Sequence, residues 1–172
     1  MTPLMLSLLL AITPGVADGG IIMAKGQKFL AEVARTPKEQ ELGLMHRQSL
    51  AKDRCMFFLY QEDGNHRIWM KNCLIALDVV WVKEDGTVVE TSELTPPCSP
   101  LLGNDCPVYG GTVPARHFVE FPAGTLRRIG LKVGDRLGWN LGLSTGEKVV
   151  GMPCFSDSSA SWSMRAMVMS VS

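Results

Sequence analysis

ALDVVWVKEDGTVVE, at residues 76–90, is the stretch that decides the fold. Two runs rich in β-branched residues flank Asp85-Gly86, a dipeptide that favours a tight hairpin turn. Side chains alternate along a strand, so Leu77, Val79 and Trp81 share one face while Asp78 lies on the other. The stretch therefore predicts an antiparallel hairpin that belongs to a sheet.

Similar short runs continue the pattern on both sides of this hairpin. Strands are predicted at 29–34, 55–60, 67–71, 117–121 and 136–139. A helix is predicted to begin at Pro37, where Thr36 and Glu39 have capping-box spacing, and a second short helix begins near Thr125. Hairpin-like connections predict an α+β, β-rich domain over 26–141: a mostly antiparallel sheet or a small partly closed barrel.

Composition limits the classes of protein and partner. The 172 residues, 46% of them hydrophobic, suffice for one core, and 17 basic residues balance 17 acidic ones. Because the basic residues form no stripe, we expect no nucleic-acid partner. The periodicity decays after Leu141, so residues 142–172 are predicted to be a flexible C-terminal tail.

The chain begins with a segment typical of exported proteins. The apolar run at 4–12 is about half the length that a bilayer-spanning helix needs. Gly15 and Ala17 occupy the small-residue positions of a cleavage site, so residues 1–17 are predicted to be a signal peptide. We therefore expect an extracytoplasmic protein, periplasmic or secreted, without a transmembrane segment in the mature chain.

Export permits disulfides, and the chain has five cysteines. Cys98 and Cys106 lie in a proline-rich connection, where a covalent link would stabilise a segment poor in backbone hydrogen bonds. We predict a disulfide between them; zinc is the alternative, although a single C-x7-C pair is a poor zinc signature. Cys55 and Cys73 lie in apolar runs and are predicted to be buried thiols.

Several segments together resemble one family. They are Gly43-Leu44-Met45-His46-Arg47, Cys55-Met56-Phe57-Phe58, Trp69-Met70-Lys71-Asn72-Cys73, Leu77-Asp78, Val119-Glu120-Phe121-Pro122-Ala123-Gly124 and Gly134-Asp135. In this order, over roughly residues 26–139, they are similar to the domain of unknown function 192 family. The resemblance implies a compact β-rich fold that is often exported, and it implies no particular activity or cofactor.

Asp78 is the candidate centre of a site, because a carboxylate among so many apolar residues needs a partner. We expect Arg47, Lys71 or the amide of Asn72 to reach it. A structural interpretation makes Asp78 part of a core ion pair or an acceptor of backbone N–H groups. A functional interpretation adds Trp69 as an apolar wall, which gives a pocket for a small polar ligand or a peptide. Lys71 and Asn72 are adjacent, so both can line one site only if the chain turns there.

Three functions remain open. The main hypothesis is an exported, non-catalytic binding or accessory module. The first alternative is an extracytoplasmic hydrolase that uses Asp78 with Glu120 or Lys71, since a carboxylate pair roughly 5–10 Å apart can cleave glycosides. The second is copper binding by soft ligands. Those ligands would come from Met45, His46, Met70, Cys73, Met164, Met167 and Met169.

Overall fold

A computed structural model of the chain describes residues 18–151. Its strands are β1 (Gly19–Ala24), β2 (Gln27–Ala34), β3 (Arg54–Phe58), β4 (Ile68–Trp69), β5 (Leu77–Val82), β6 (Val88–Thr95), β7 (Val108–Tyr109), β8 (His117–Pro122), β9 (Leu137–Gly142) and β10 (Lys148–Gly151). The helices are α1 (Pro37–Leu42), α2 (Thr125–Ile129) and a 3-10 turn at Pro100–Leu102. The predicted signal peptide and residues 152–172 of the predicted tail lie outside the described residues.

Eight strands form one sheet in the order β10-β9-β1-β2-β3-β8-β5-β6, and it curls into a half-barrel. All pairs are antiparallel except β2 and β3, which α1 connects. The β-rich, mostly antiparallel α+β fold is thus confirmed. Strands β1 and β10, together with the end of β9, carry the sheet beyond the predicted 26–141 range on both sides.

The predicted local signals are present in the structure. Thr36 Oγ1 accepts a hydrogen bond from the Glu39 amide, and the Glu39 carboxylate accepts one from the Thr36 amide, which completes the capping box of α1. The hairpin turns at Asp85-Gly86 between β5 and β6. Each of these elements is therefore specified by residues within a few positions of one another.

The central strands separate two apolar clusters on opposite sides of the sheet. We call the side to which Phe57, Val80 and Val119 point the first face. Met56, Phe58, Val79 and Phe118 point to the other side, the second face. Because side chains alternate along each strand, neighbouring residues of β8 belong to different faces.

A two-stranded sheet of β4 and β7 lies over the second face. Gly110 follows β7 with a φ of 63°, and a Cβ at this position would lie 2.1 Å from the Trp81 indole. The buried indole Nε1 donates a hydrogen bond to the His66 carbonyl at 2.6 Å. The absence of a side chain at Gly110 therefore lets this loop pack directly on the core.

The loop between β6 and β7 contains Cys98 and Cys106, whose sulfur atoms lie 2.09 Å apart, which is the distance of a disulfide bond and agrees with the predicted pair. The thiols of Cys55 and Cys73 are free and buried, as predicted. Within the described part of the chain, none of the helices has the length and apolar character required to cross a bilayer.

Candidate functional site

Glu120 is a carboxyl group in the middle of the central strand β8. It lies between Met56 of β3 and Val79 of β5, and its side chain is directed to the second face. Only 6% of the residue is exposed. Its Oε2 atom has no hydrogen-bond partner among the described residues. Burial raises the pKa of Glu120 to about 8, so the carboxyl group is mostly protonated at neutral pH.

Glu120 borders a cavity of about 50 Å³, which we call the Glu120 cleft. The cleft gathers residues from four of the segments that carry the family resemblance: Gly43, Leu44, Met45, Phe58, Trp69, Cys73 and Glu120. Phe58 stacks on Phe118, with ring centroids 4.2 Å apart, and both rings line the cleft. The cleft therefore combines an unpartnered carboxyl group with aromatic walls.

Two loops are joined beside the cleft by residues with left-handed backbone conformations. His46 and Asn72 have φ values of 63° and 55°. The His46 amide donates to the Asn72 carbonyl at 2.8 Å, and the Asn72 side-chain amide contacts the Met45 sulfur at 3.8 Å. The chain thus turns at Asn72, which is the condition for Lys71 and Asn72 to line one site.

Lys71 and Asn72 do line one cavity, of about 280 Å³, which we call the disulfide cleft. Cys98 and Cys106 form part of its wall, and Cys73 borders both this cleft and the Glu120 cleft. Lys71 Nζ lies 2.6 Å from Asn104 Oδ1 and 4.9 Å from the centroid of the Trp69 ring. Trp69, Lys71 and Asn72 are therefore neighbours, as the binding hypothesis requires, although Trp69 lines only the Glu120 cleft.

Arg47 does not reach Asp78. Its guanidinium binds both carboxylate oxygens of Glu32, at 3.0 and 2.6 Å. This pair lines a separate groove of about 390 Å³, together with Arg35, Asp18 and other residues. The predicted contact between Arg47 and Asp78 is therefore wrong, because the carboxylate of Glu32 in β2 binds the Arg47 guanidinium through both oxygens.

Asp78 is held by backbone amides instead of by Arg47, Lys71 or Asn72. Its Oδ1 accepts from the Leu94 amide and its Oδ2 accepts from the Leu126 amide, each at 2.8 Å. Leu126 lies in the first turn of α2, whose N-cap Gly124 supplies no side-chain acceptor. Although Asp78 is far from α2 in the sequence, its fully buried carboxylate thus caps the first turn of α2 and also binds the backbone of β6. The structural interpretation of Asp78 is correct.

Asp78 and Glu120 lie on opposite faces of the sheet, because Asp78 pairs with Phe121 whereas Val79 pairs with Glu120. The two carboxyl groups cannot act on the same bond. Cys73 is also unsuited to nucleophilic attack. Burial, and secondarily the Glu120 carboxyl, raise the pKa of its thiol to about 11, which keeps it protonated.

The described residues contain no group of three or more His, Cys, Asp or Glu side chains that could hold a metal ion. Met45 contacts the Asn72 amide, and Met70 is buried in the second-face cluster. Met164, Met167 and Met169 lie outside the described residues. The described copper candidates, Met45, His46, Met70 and Cys73, are thus not accompanied by a cluster of imidazole, thiol and carboxylate groups that could complete a metal site.

Glu120 was predicted from the sequence only as part of a family segment and as a partner for Asp78, and the Glu120 cleft was not predicted. One signal was available, because Glu120 interrupts the apolar run His117-Phe118-Val119-Glu120-Phe121. A carboxyl group at the centre of a predicted buried strand requires an explanation of its own.

The fold and the site define a small half-barrel domain with a buried acid open to a cleft on one face. The chain belongs to the domain of unknown function 192 family, described as an uncharacterized ACR, whose model matches residues 20–139. No curated protein is significantly similar to the chain.

Two solved structures are similar to this one. The first is a Sinorhizobium meliloti protein described as a candidate transcription regulator, with 31% identity, a TM-score of 0.61 and coverage of 72% of this chain and 92% of that chain. The second is a protein of unknown function from Novosphingobium aromaticivorans, with 29% identity, a TM-score of 0.59 and coverage of 71% and 84%.

Proposed function

We propose that the protein is an exported, non-catalytic binding module. Its ligand presents a neutral hydrogen-bonding group, an amide or a hydroxyl, to Glu120 and an apolar surface to Trp69. The observation that carries this proposal is the buried Glu120 Oε2 atom, which borders the cleft without a partner among the described residues. A buried polar atom without a partner is unfavourable, so a ligand that satisfies it gains free energy.

The protonation state of Glu120 determines the chemistry of the ligand. With a pKa raised to about 8 by burial, the group is a carboxylic acid that donates one hydrogen bond and accepts others. Amides and hydroxyls also donate and accept, and they carry no charge that would have to be buried. An anionic group would lose its hydration on entering the cleft, so it is the poorer partner.

The dimensions of the two clefts determine how much of the ligand enters. A volume of about 50 Å³ admits one functional group and not a sugar ring. Trp69 is 38% exposed beside it and offers an apolar surface on which the rest of a sugar or peptide can lie. The disulfide cleft, of about 280 Å³, adjoins at Cys73 and provides further room with Lys71 and Asn72.

Export is part of the same proposal. A disulfide between Cys98 and Cys106 is compatible with an oxidising compartment. Asp18 follows the predicted cleavage position, and its carboxylate pairs with Arg35 and accepts from the Ser144 amide. The proposed mature N-terminus is thereby attached to the domain. Intact mass after alkylation tests this: we expect loss of residues 1–17 and no alkylation of Cys98 or Cys106. Alkylation of both would contradict an oxidised, exported form.

A thermal-shift experiment tests binding. We expect N-acetylglycinamide or methyl glucoside to raise the melting temperature at pH 7, because a ligand of the native state stabilises it, and we expect no acetate-induced shift that depends on Trp69 or Glu120. Trp69→Ala and Glu120→Leu should abolish the shift, whereas Glu120→Gln, which keeps a donor and an acceptor, should retain it. Leu101→Ala is the matched control, because Leu101 is 96% exposed on the neighbouring loop and lies outside both clefts.

A full ligand response in both Trp69→Ala and Glu120→Leu would overturn the site, and a response to acetate that these two variants abolish would overturn the ligand class. The relative described as a candidate transcription regulator suggests nucleic acid as another ligand. The zero net charge of this chain argues against that partner, because phosphate binding requires clustered positive charge.

A further inference from the structure

A fourth cavity, of about 260 Å³, lies near the start of β8 and contacts residues of the first face. His117 of β8 and Trp139 of β9 both line it. Their rings meet edge to face, with centroids 5.5 Å apart. His117 pairs with Val82, so it is directed to the face opposite to Glu120. The cavity is therefore separate from the Glu120 cleft.

Trp139 presents a hydrogen-bond donor without an acceptor. The residue is 4% exposed, and its Nε1 atom is buried with no partner among the described residues. The indole nitrogen can only donate. Gly151 of β10 packs directly on the indole, since a Cβ there would lie 2.1 Å from the ring. The ring is thus held firmly, and its N–H requires an acceptor from elsewhere.

His117 supplies a second donor of fixed orientation. Its Nδ1 atom accepts the Tyr60 amide at 3.2 Å, so the proton of the neutral ring is on Nε2. Burial, followed by the nearby positive charge of Arg116, lowers the pKa of His117 to about 4. The ring is therefore neutral at physiological pH and keeps one N–H to donate.

The two arginines that line the cavity are both paired with carboxylates. Arg116 is held by Asp63 at 2.6 Å and by Glu84 at 3.3 Å. Arg35 pairs with Asp18. Of the two acidic lining residues, Glu84 is paired with Arg116, and Glu147 is exposed to solvent, where its charge is screened.

We propose that this cavity is a second ligand site, which binds the carboxylate group of a small molecule through the Trp139 indole N–H and the His117 Nε2–H. Two N–H donors on neighbouring rings match the two acceptor oxygens of one carboxylate, and hydrogen bonds to a charged acceptor are stronger than those to a neutral carbonyl. The cavity volume lies below the usual range for drug-sized ligands, and it fits a molecule the size of an acylated amino acid. The site does not depend on the proposed ligand of the Glu120 cleft.

The indole N–H resonance of Trp139 is a direct reporter. The ¹⁵N-labelled protein is titrated with N-acetylglycine at pH 7 and, as a control, with its neutral amide N-acetylglycinamide; Trp139→Phe assigns the resonance. We expect a saturable downfield shift of the Trp139 signal with the carboxylate and not with the amide. Trp69→Ala should bind N-acetylglycine as the wild type does.

His117→Asn retains an acceptor for the Tyr60 amide but removes the ring Nε2–H, so we expect it to weaken binding about tenfold. Absence of a saturable shift with N-acetylglycine in the wild-type protein would overturn the site. An equal shift with the amide would overturn its assignment to carboxylates. If Trp139→Phe does not fold, sequential NMR assignment identifies the Trp139 resonance, and the same wild-type titrations decide the matter.

Discussion

Replacing Glu120 by glutamine should stabilise the protein by an amount that depends on pH. Glutamine keeps the shape and the hydrogen-bonding capacity of the protonated acid but cannot ionise. The folded state holds the Glu120 proton up to a pKa of about 8, compared with 4.5 for a free side chain. Between these values the unfolded state ionises first, so wild-type stability decreases as the pH rises.

The expected magnitude follows from these two values. Each pH unit within the window is worth about 1.4 kcal/mol, so the full difference approaches about 5 kcal/mol at pH 8. Because of this group, the free energy of unfolding of the wild type should be about 3 kcal/mol lower at pH 7 than at pH 4. Glu120→Gln should therefore match the wild type at pH 4 and exceed it increasingly up to pH 8.

Urea unfolding of the wild type and Glu120→Gln at pH 4, 5, 6, 7 and 8 measures the difference in the free energy of unfolding. The difference between the two proteins isolates Glu120, because both retain His117, whose titration acts in the opposite direction. A difference that is constant across this range would refute the buried, protonated carboxyl group.

Three further outcomes are expected. Asp78→Asn should lower the free energy of unfolding by about 3 kcal/mol, because its amide nitrogen would face a backbone N–H donor, while N-acetylglycinamide binding stays unchanged in thermal shift. His117 takes up its proton near pH 6.5 in the unfolded state but only near pH 4 in the folded state, so the free energy of unfolding of the wild type should fall by about 3 kcal/mol between pH 6.5 and pH 4. Urea unfolding should show no such loss from this position in His117→Asn. Gly110→Ala should lower the melting temperature far more than Gly103→Ala, since both positions have positive φ but only Gly110 faces a ring at 2.1 Å; equal losses would contradict the close packing on Trp81.

Features that depend on neighbouring residues could be predicted from the sequence. The hairpin at Asp85-Gly86 and the capping box of Thr36 and Glu39 involve only a few consecutive positions. The Cys98–Cys106 pair was predicted because its segment is poor in other stabilising contacts. In each case local chemistry leaves few alternatives.

Features that depend on tertiary contacts could not be predicted. Backbone N–H groups were one of the predicted alternatives for Asp78, but the particular donors, Leu94 and Leu126, have no signature in the sequence. Strand β1 lies before the predicted domain and begins with Gly19 and Gly20; Gly20 permits close pairing, since a Cβ there would lie 2.2 Å from the Asn140 carbonyl oxygen. The Glu120 cleft is lined by residues from separate segments of the chain, and beside it the left-handed residues His46 and Asn72 join two loops through a backbone hydrogen bond.

The most direct test of the central claim is the pH titration of the Glu120 carboxyl carbon by ¹³C NMR, with Glu120→Gln to assign its signal. We predict a midpoint near pH 8, consistent with a buried neutral acid that is available to a ligand. A midpoint near 4.5, the ordinary value for glutamate, would show a solvated or paired carboxylate and would contradict the proposed site.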